Sequence, residues 1–275
     1  MISVNNISVQ KGRKQIIENA SFQIRSGQIT VVIGKNGAGK STLMEALTGS
    51  NVLQKGQIQW DNQPLAKMQM QQVAQRRAVL SQKVSTSFSI AVEKLVEMGV
   101  YVADEFLSKT KIDNLIHHAL DTVDMTKFTQ RDFTTLSGGE QKRVLLAKCI
   151  VQLNCCHWAD VNKYLFLDEP TASLDIEQQY NFIELIKKLV KRRNIGVFAV
   201  LHDLNLAAQF ADEIIILKDG KIKELGSPAA VLTTEKLAAT FDIHTIIQPH
   251  PVFGCPYVTT LPKKYQTRNH TYSTI

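Results

Sequence analysis

The chain has 275 residues, of which 44% are hydrophobic and 21% charged, and its formal net charge at pH 7 is +7. These values are ordinary for a globular protein, and the apolar runs are too short to cross a bilayer. The four cysteines do not make a disulfide framework, which indicates a reduced, cytoplasmic chain. The positive charge is diffuse, which favours a solvated basic surface over a nucleic-acid or membrane patch.

The first part of the chain predicts strands and one glycine-rich loop. Residues 2–9 and 20–25 read as two strands around a polar turn at 11–14. Residues 29–33 are a β-branched apolar run, typical of a buried parallel strand. Residues 42–48 read as a helix that ends at a glycine. The loop therefore lies between a buried strand and the start of a helix.

The loop itself, residues 34–42, fits the phosphate-binding pattern G-x-x-x-x-G-K-[ST]. Its glycines let backbone N–H groups turn toward an anion, and the helix N-terminus adds about half a positive charge. In this pattern Lys40 reaches the β- and γ-phosphates and the Ser41 hydroxyl holds Mg²⁺. An ordinary glycine-rich turn is the alternative, but it does not explain the flanking strand and helix. The predicted triphosphate contacts are Gly34, Asn36, Gly37, Ala38, Gly39, Lys40, Ser41 and Thr42.

The next stretch changes character. A strand at 56–60 and a helix-prone segment at 70–77 precede a strand at 78–82, which ends on Gln82. From 83 to 135 the pattern is mostly helical, with amphipathic helices predicted at 90–98 and 111–123. We interpret this stretch as a helical insertion into an α/β core.

Alternating strands and helices then resume. Ser137 is suited to cap a helix that reaches about residue 153, and residues 154–162 read as a loop or a helix-end extension. The later elements are predicted at 164–167, 176–191, 196–201, 204–210 and 213–217, followed by short mixed elements from 227. Such alternation predicts a parallel sheet with crossover helices.

Three further positions carry chemistry. Asp168 and Glu169 follow a buried strand, on the sheet edge where ligands bind, so Asp168 suits Mg²⁺ and Glu169 suits an attacking water. His202 ends the next strand and can donate a hydrogen bond to a phosphate or to that water. The alternatives are an acid pair that caps a helix and a structural histidine. A second glycine-opened helix start at 137–139 is a second anion site, which suggests that a second chain uses it.

Together these motifs resemble the nucleotide-binding subunits of ABC transporters over essentially the whole chain. The matching motifs are the Walker A loop at 34–42, the Q-loop at Gln82, the signature at 136–141, Walker B and its glutamate at Asp168 and Glu169, the D-loop at 174–175 and the switch histidine at His202. The resemblance implies ATP and Mg²⁺ as cofactors. It also implies catalytic roles for Glu169, His202, Gln82 and Lys40, and Mg²⁺ ligation by Ser41, Gln82 and Asp168.

The resemblance further implies an assembly. ATPase subunits of this family form head-to-tail homodimers, in which Ser137 and Gly139 of one chain complete the site around Lys40 of the other. Two transmembrane permease subunits are expected to dock on residues 83–135, and Gln82 is expected to link docking to the γ-phosphate. A substrate-binding protein acts indirectly, and nucleic acid is not an expected partner. The chain is expected to lie peripherally on the cytoplasmic face of the inner membrane.

The expected fold class is α/β, a P-loop NTPase parallel-sheet core with an N-terminal antiparallel β-subdomain and an inserted helical subdomain. The resemblance implies one ABC ATPase domain over residues 1–275. Within it we expect a nucleotide-binding core at 1–82 and 163–230, a helical subdomain with the signature at 83–162, and a C-terminal tail at 231–275.

Two positions depart from the family pattern. An aromatic residue that stacks on adenine is usual near residues 10–12, where this chain has Gln10, Lys11 and Gly12, so Lys11 is left to contribute its stem or a cation contact. The D-loop at 171–175 reads Thr-Ala-Ser-Leu-Asp, with the usual Ser-Ala order reversed. We expect little consequence from the second departure.

The transported substrate is inferred from resemblance alone. The interval between Ser137 and Asp168 is longer than usual, and the additional residues at 152–162 resemble the ATPases of haemin importers, a branch of the iron-siderophore and cobalamin group. Residues 201–208 and the tail from His250-Pro251 agree with that group and disfavour an exporter. The alternatives are a ferric-siderophore or cobalamin importer and, more remotely, a soluble ABC ATPase that acts on nucleic acid.

The cysteines invite a metal or haem-ligand interpretation, which we do not adopt. Residues 155–157 are Cys-Cys-His, but adjacent cysteines lack the two-residue gap that zinc sites prefer. Cys255 precedes a proline, a pairing that is usual in turns.

Overall fold

The computed structural model describes residues 1–82, 88–103, 107–156 and 161–262. Its strands are β1 (Ile2–Lys11), β2 (Lys14–Ile24), β3 (Ile29–Ile33), β4 (Lys55–Trp60), β5 (Gln63–Pro64), β6 (Arg77–Leu80), β7 (Tyr164–Asp168), β8 (Gly196–Val200), β9 (Glu213–Lys218), β10 (Lys221–Gly226), β11 (His244–Pro249) and β12 (Pro256–Leu261). Its helices are α1 (Lys40–Leu47), α2 (Met70–Arg76), α3 (Val92–Glu97), α4 (Lys109–Thr122), α5 (Gly138–Asn154), α6 (Ile176–Arg193), α7 (Leu204–Phe210), α8 (Pro228–Val231) and α9 (Thr234–Phe241). Short 3-10 turns lie at Leu65–Lys67, Met98–Val102, Thr126–Phe128 and Phe133–Thr135.

A mostly parallel sheet forms the centre of the protein. Its strand order is β10-β9-β3-β8-β7-β6, and every pairing is parallel except that of β10 with β9. Strands β3 and β8 are buried at every position, as their continuous apolar sequences require. The predicted parallel sheet with crossover helices is confirmed, and the carboxyl ends of β3, β7 and β8 meet at one edge.

A second, antiparallel sheet, in the order β2-β1-β4-β5, packs against the first. Aromatic side chains join the two layers: the ring centroids of Trp60 and Tyr164 are 5.2 Å apart, and those of Phe22 and Phe198 are 6.1 Å apart. Strand β2 begins at Lys14, earlier than the predicted 20–25. The prediction missed residues 14–19 because most of them are polar and exposed. The alternation of apolar residues is therefore weak in that stretch, although the backbone already pairs with β1.

Helices α3, α4 and α5 lie between β6 and β7 along the chain and pack together around a shared apolar core. The helix predicted at 90–98 is shorter than expected and continues as a 3-10 turn to Val102. The turn approaches α5 closely at Gly99, where an added Cβ would lie 2.6 Å from the Lys148 carbonyl oxygen. The helix predicted at 111–123 is confirmed as α4.

The C-terminal segment forms two short helices and the β11–β12 hairpin, as the mixed pattern predicts. Asn205 of α7 holds this hairpin: its amide donates to the Val258 carbonyl oxygen over 3.1 Å and its side-chain oxygen accepts from the Val258 N–H over 2.7 Å. The hairpin is thereby attached to the helix that follows His202. His157 and part of the predicted 152–162 extension lie outside the described residues, as do parts of the docking segment 83–135 and the tail beyond 262.

All four cysteines carry free thiols, and Cys149, Cys155 and Cys156 are buried whereas Cys255 is partly exposed. The sulfur atoms of Cys155 and Cys156 are 3.6 Å apart. Burial raises the pKa of the Cys149 thiol, and likewise that of Cys155, to about 12. These two groups are therefore protonated at neutral pH.

Candidate active site

The loop between β3 and α1 depends on glycine at defined positions. An added Cβ at Gly34 would lie 2.3 Å from the Leu217 carbonyl oxygen of β9, so no larger residue fits there. Gly37 and Gly39 have φ of 80° and 106°, in the left-handed region that favours glycine. The loop therefore curls tightly around the point where α1 begins at Lys40.

Lys40 lies inside this loop, and only 6% of its surface is exposed. Its Nζ donates to the Gly34 carbonyl oxygen over 2.9 Å and to the Lys35 carbonyl oxygen over 3.2 Å. Burial lowers the pKa of Lys40, while the carboxylates of Glu169 and Asp168 act in the opposite direction. The ammonium thus has two neutral carbonyl partners, which an anion can replace.

A cavity of about 820 Å³ opens beside the loop, a volume typical of ligand sites. It is lined by Lys14, Ile16, Asn36, Gly37, Gly39, Lys40, Ser41, Thr42, Gln82, Glu169 and His202. The structure therefore brings most of the sequence-predicted site residues to one place. Of the others, Gly34 and Ala38 support the loop and Asp168 lies one residue before Glu169.

Glu169 is the centre of the polar contacts in this cavity. The Gln82 amide donates to its Oε2 over 2.5 Å, and the Nε2 of His202 lies 2.5 Å from its Oε1. When Glu169 is ionised it only accepts, and Nε2 of His202 is then the donor of that contact. Glu169 also has φ of 47°, an uncommon value for a non-glycine residue, which turns the chain directly after β7. Three separate segments therefore converge on one carboxyl group.

The second glycine-opened helix start lies apart from this cavity. Ser137 caps α5, accepting from the Glu140 N–H, and the Glu140 carboxylate accepts from the Ser137 N–H over 2.8 Å. Gly139 packs against α6, where an added Cβ would lie 2.5 Å from Oε1 of Gln178. Within one chain, neither Ser137 nor Gly139 lines the cavity around Lys40.

A comparison with known families identifies this arrangement. The family model described as "ABC transporter" matches residues 17–172, which is more than half of the chain. The chain belongs to the ABC transporter family. Its members couple ATP hydrolysis to transport, so the chain binds ATP and is an ATPase.

Relatives of this ABC ATPase cover almost its whole length. "Hemin import ATP-binding protein HmuV" of Hahella chejuensis is 38% identical over 94% of this chain and 99% of its own. The protein of the same name from Hydrogenovibrio crunogenus is 38% identical over 91% of this chain and 96% of its own. A solved metal-chelate type ABC transporter in an inward-facing conformation is similar with a TM-score of 0.80 and 26% identity, covering 96% of this chain and 98% of that one. The α/β P-loop fold predicted from the sequence is confirmed.

The ABC ATPase concentrates negative charge at the end of β7. Burial raises the pKa of Asp168, and the nearby carboxylates of Glu169 and Glu45 raise it further. The cations of Lys142 and Lys40 act in the opposite direction without cancelling the shift. The site therefore favours the binding of additional positive charge.

Lys14, Ile16 and Lys142 were not predicted from the sequence to lie at or near the site. Lys14 and Ile16 line the cavity from β2, in the stretch where alternation is weak. The burial of Lys142 could have been predicted from the sequence. It is a charged residue on the face of α5 that also carries Leu145, Leu146 and Cys149, all of them buried. A charge on an otherwise apolar helix face indicates a specific partner.

The departure at residues 10–12 has a structural counterpart in this ABC ATPase. The Lys11 ammonium pairs with Glu45 over 2.7 Å, and Gln10 donates to the Gly12 carbonyl oxygen over 2.8 Å. Both side chains therefore have partners outside the cavity. Ile16 instead supplies aliphatic surface to the cavity.

We expect Ile16→Ala to raise KM for ATP by about three- to tenfold with little change in kcat, because it removes apolar surface from binding alone. GTP should be affected to the same extent, since an aliphatic side chain does not read the edge of a base. Steady-state kinetics with both nucleotides measures this. Ile222→Ala is the control, because Ile222 packs against the same core but does not line the cavity. Unchanged KM in Ile16→Ala would contradict the assignment.

Proposed function

We propose that this chain is the ATPase subunit that powers import of haem through an ABC transporter. The observation that carries the proposal is the 38% identity to a hemin import ATP-binding protein over 94% of this chain and 99% of the relative. The converging contacts around Glu169 support a complete hydrolytic site. The same proposal includes the division into core (1–82 and 163–230), helical subdomain (83–162) and tail (231–275).

Hydrolysis can be derived from the contacts in the cavity. The triphosphate takes the place of the carbonyl partners of Lys40, whose ammonium then neutralises phosphate charge. Glu169 orients a water for attack on the γ-phosphorus and takes its proton as the bond to ADP breaks. The His202 imidazole, which lies beside Oε1 of Glu169, stabilises the charge that develops on the γ-phosphate. The Gln82 amide N–H holds Oε2 of Glu169.

The residues at this site fit Mg²⁺. Ser41 offers a hydroxyl, Gln82 a side-chain carbonyl and Asp168 a carboxylate, and oxygen ligands are those that Mg²⁺ prefers. Burial raises the pKa of Asp168, and the carboxylates of Glu169 and Glu45 raise it further. A divalent cation would offset the charge of these three carboxylates. When bound, the ion would neutralise negative charge on the phosphate groups.

ATPase domains of this family work as dimers with transmembrane permease partners. For this chain we place the contacts of the second anion site in trans: Ser137 and Gly139 are proposed to complete the nucleotide site around Lys40 of the other copy. The separation of the two segments within one chain supports this arrangement.

The permease is proposed to dock on residues 83–135. Val79, Phe88 and Tyr101 are exposed apolar residues on and around this segment. The Gln75 amide donates to the Val102 carbonyl oxygen over 2.8 Å, which joins α2 to the turn that carries Tyr101.

None of the helices in the described ranges has both the length and the apolar composition needed to cross a bilayer. The proposed location is peripheral, on the cytoplasmic face of the inner membrane, with a substrate-binding protein acting only through the permease.

A ferric-siderophore or cobalamin importer is the second candidate. The observation that favours it is the structural likeness to a metal-chelate type transporter, a description that covers more substrates than haem. The ATPase subunit does not contact the cargo, so the choice rests on the named relatives.

We expect ATP hydrolysis by the reconstituted transporter to be stimulated by a haem-loaded binding protein. Cargo affects the ATPase only indirectly, by shifting the permease and the ATPase dimer between conformations. The measurement compares phosphate release with haem-loaded, siderophore-loaded, cobalamin-loaded and empty binding protein.

One control variant separates the substrate assignment from the ATPase assignment. The Glu169→Gln transporter should respond to none of the loaded proteins. If siderophore-loaded binding protein stimulated ATP hydrolysis and haem-loaded binding protein did not, the substrate assignment would be overturned. The ATPase assignment would remain.

A further inference from the structure

Lys142 is a buried cation that hydrolysis, as derived above, does not use. It lies on α5 shortly after the signature residues, and only 8% of its surface is exposed. A buried ammonium is costly unless it is paired or hydrogen bonded. Its Nζ donates to the main-chain carbonyl oxygen of Gln82 over 3.1 Å. The helix that Ser137 caps is therefore hydrogen bonded to the backbone of Gln82.

The same glutamine touches Glu169. The Gln82 side chain donates to Oε2 of Glu169, while His202 occupies the other carboxylate oxygen. A continuous series of contacts thus runs from Lys142 through Gln82 to Glu169. The first of these hydrogen bonds joins residues that are 60 positions apart along the chain, and the second joins residues that are 87 positions apart.

Lys142 also lies within electrostatic reach of the β7 carboxylates. Burial lowers its pKa, and Asp168 and Glu169 oppose that shift. Lys142 acts on the pKa of Asp168 more strongly than Lys40 does. Unlike Lys40, however, Lys142 does not line the cavity. Its contribution is therefore to the placement of catalytic groups rather than to contact with nucleotide.

We propose that Lys142 is a positioning residue, which holds the backbone of Gln82 so that the Gln82 amide meets Glu169. The setting of Glu169 then depends on where α5 lies. Ser137, which caps α5, is proposed to contact the nucleotide of the partner chain. A displacement of this helix would therefore move Lys142 and, through Gln82, change the position of Glu169. The inference rests on the roles proposed above for Gln82 and Glu169.

Lys142→Met tests this inference in the full-length ATPase, because it keeps a long apolar stem and removes the donor and the charge. We expect kcat to fall by about ten- to a hundredfold, as for a misplaced catalytic group. KM for ATP should stay within about twofold, since no nucleotide contact is lost. Lys142→Arg should recover much of the activity. Lys148→Met, the same change on the same helix, is the matched control and should behave as wild type.

A double-mutant cycle with Gln82→Ala separates positioning from a general structural role. If Lys142 acts through Gln82, Lys142→Met should cost little further activity once the Gln82 amide is gone. Equal losses in both backgrounds would overturn the proposal, as would wild-type kcat in Lys142→Met or a loss that Arg does not relieve.

Lys142→Gln, which keeps a donor without the charge, is measured in the same cycle, so that an unstable Met variant does not decide the result. Thermal unfolding of each variant identifies any loss due to misfolding. Glu169→Gln, assayed alongside, tests the proposed function independently. If that variant hydrolysed ATP normally, the assignment of the site would fail, whatever Lys142 showed.

Discussion

Replacing Glu169 with Gln is expected to lower ATP hydrolysis by about 10²–10⁴-fold while ATP still binds. Glu169 is the carboxyl group on which Gln82 and His202 converge, and an amide of nearly the same shape cannot take a proton from water. The substitution leaves Lys40 and the phosphate loop unchanged, so binding should persist. ATP-bound dimers should then accumulate, because the step that separates them is blocked.

Phosphate release, nucleotide binding and particle size in the presence of ATP measure these three effects. Lys40→Ala provides the contrast, because it removes a buried ammonium from the phosphate loop and should weaken nucleotide binding itself. Near wild-type hydrolysis by Glu169→Gln would show that another group activates water.

Mixing two inactive variants, Ser137→Arg and Lys40→Ala, is expected to restore hydrolysis. If Ser137 acts on the site around Lys40 of the partner, a mixed dimer carries both defects in one site and leaves the other intact. Random exchange of equal amounts makes about half of the dimers mixed, so about a quarter of wild-type activity should return if the two sites work independently.

The matched control mixes Lys40→Ala with Glu169→Gln. Both of these residues line the cavity of their own chain, so each chain of a mixed dimer brings one defective site and activity should stay absent. Recovery in the first mixture alone would support composite sites. Failure of both mixtures, with dimers still formed, would refute them.

Local patterns explain how much could be predicted from the sequence. The phosphate loop, the strand that ends at Asp168 and the helix that begins after Ser137 each depend on neighbouring residues, so their sequences are readable without a fold. The edge at which Glu169 and His202 meet followed from the parallel order of strands. Positions within these segments were therefore accessible to prediction.

Contacts between distant segments were not accessible in the same way. The bond between Gln82 and Glu169 requires the pairing of β6 with β7, which local periodicity does not specify. The bond between Lys142 and Gln82 requires the packing of α5 against the sheet. The pairing of Lys11 with Glu45 likewise depends on how β1 lies over α1. The attachment of the C-terminal hairpin to Asn205 carries no local signal, because a single asparagine provides it.

The burial of the thiols has a practical consequence for spectroscopy. Maleimide dyes react with exposed thiolates, and Cys149, Cys155 and Cys156 are enclosed, with the first two held protonated by a pKa of about 12. Cys255→Ser would remove the one thiol of the chain that is partly exposed. Single cysteines introduced at the surface would then carry the label alone, so that fluorescence transfer could follow the opening and closing of the two copies during turnover.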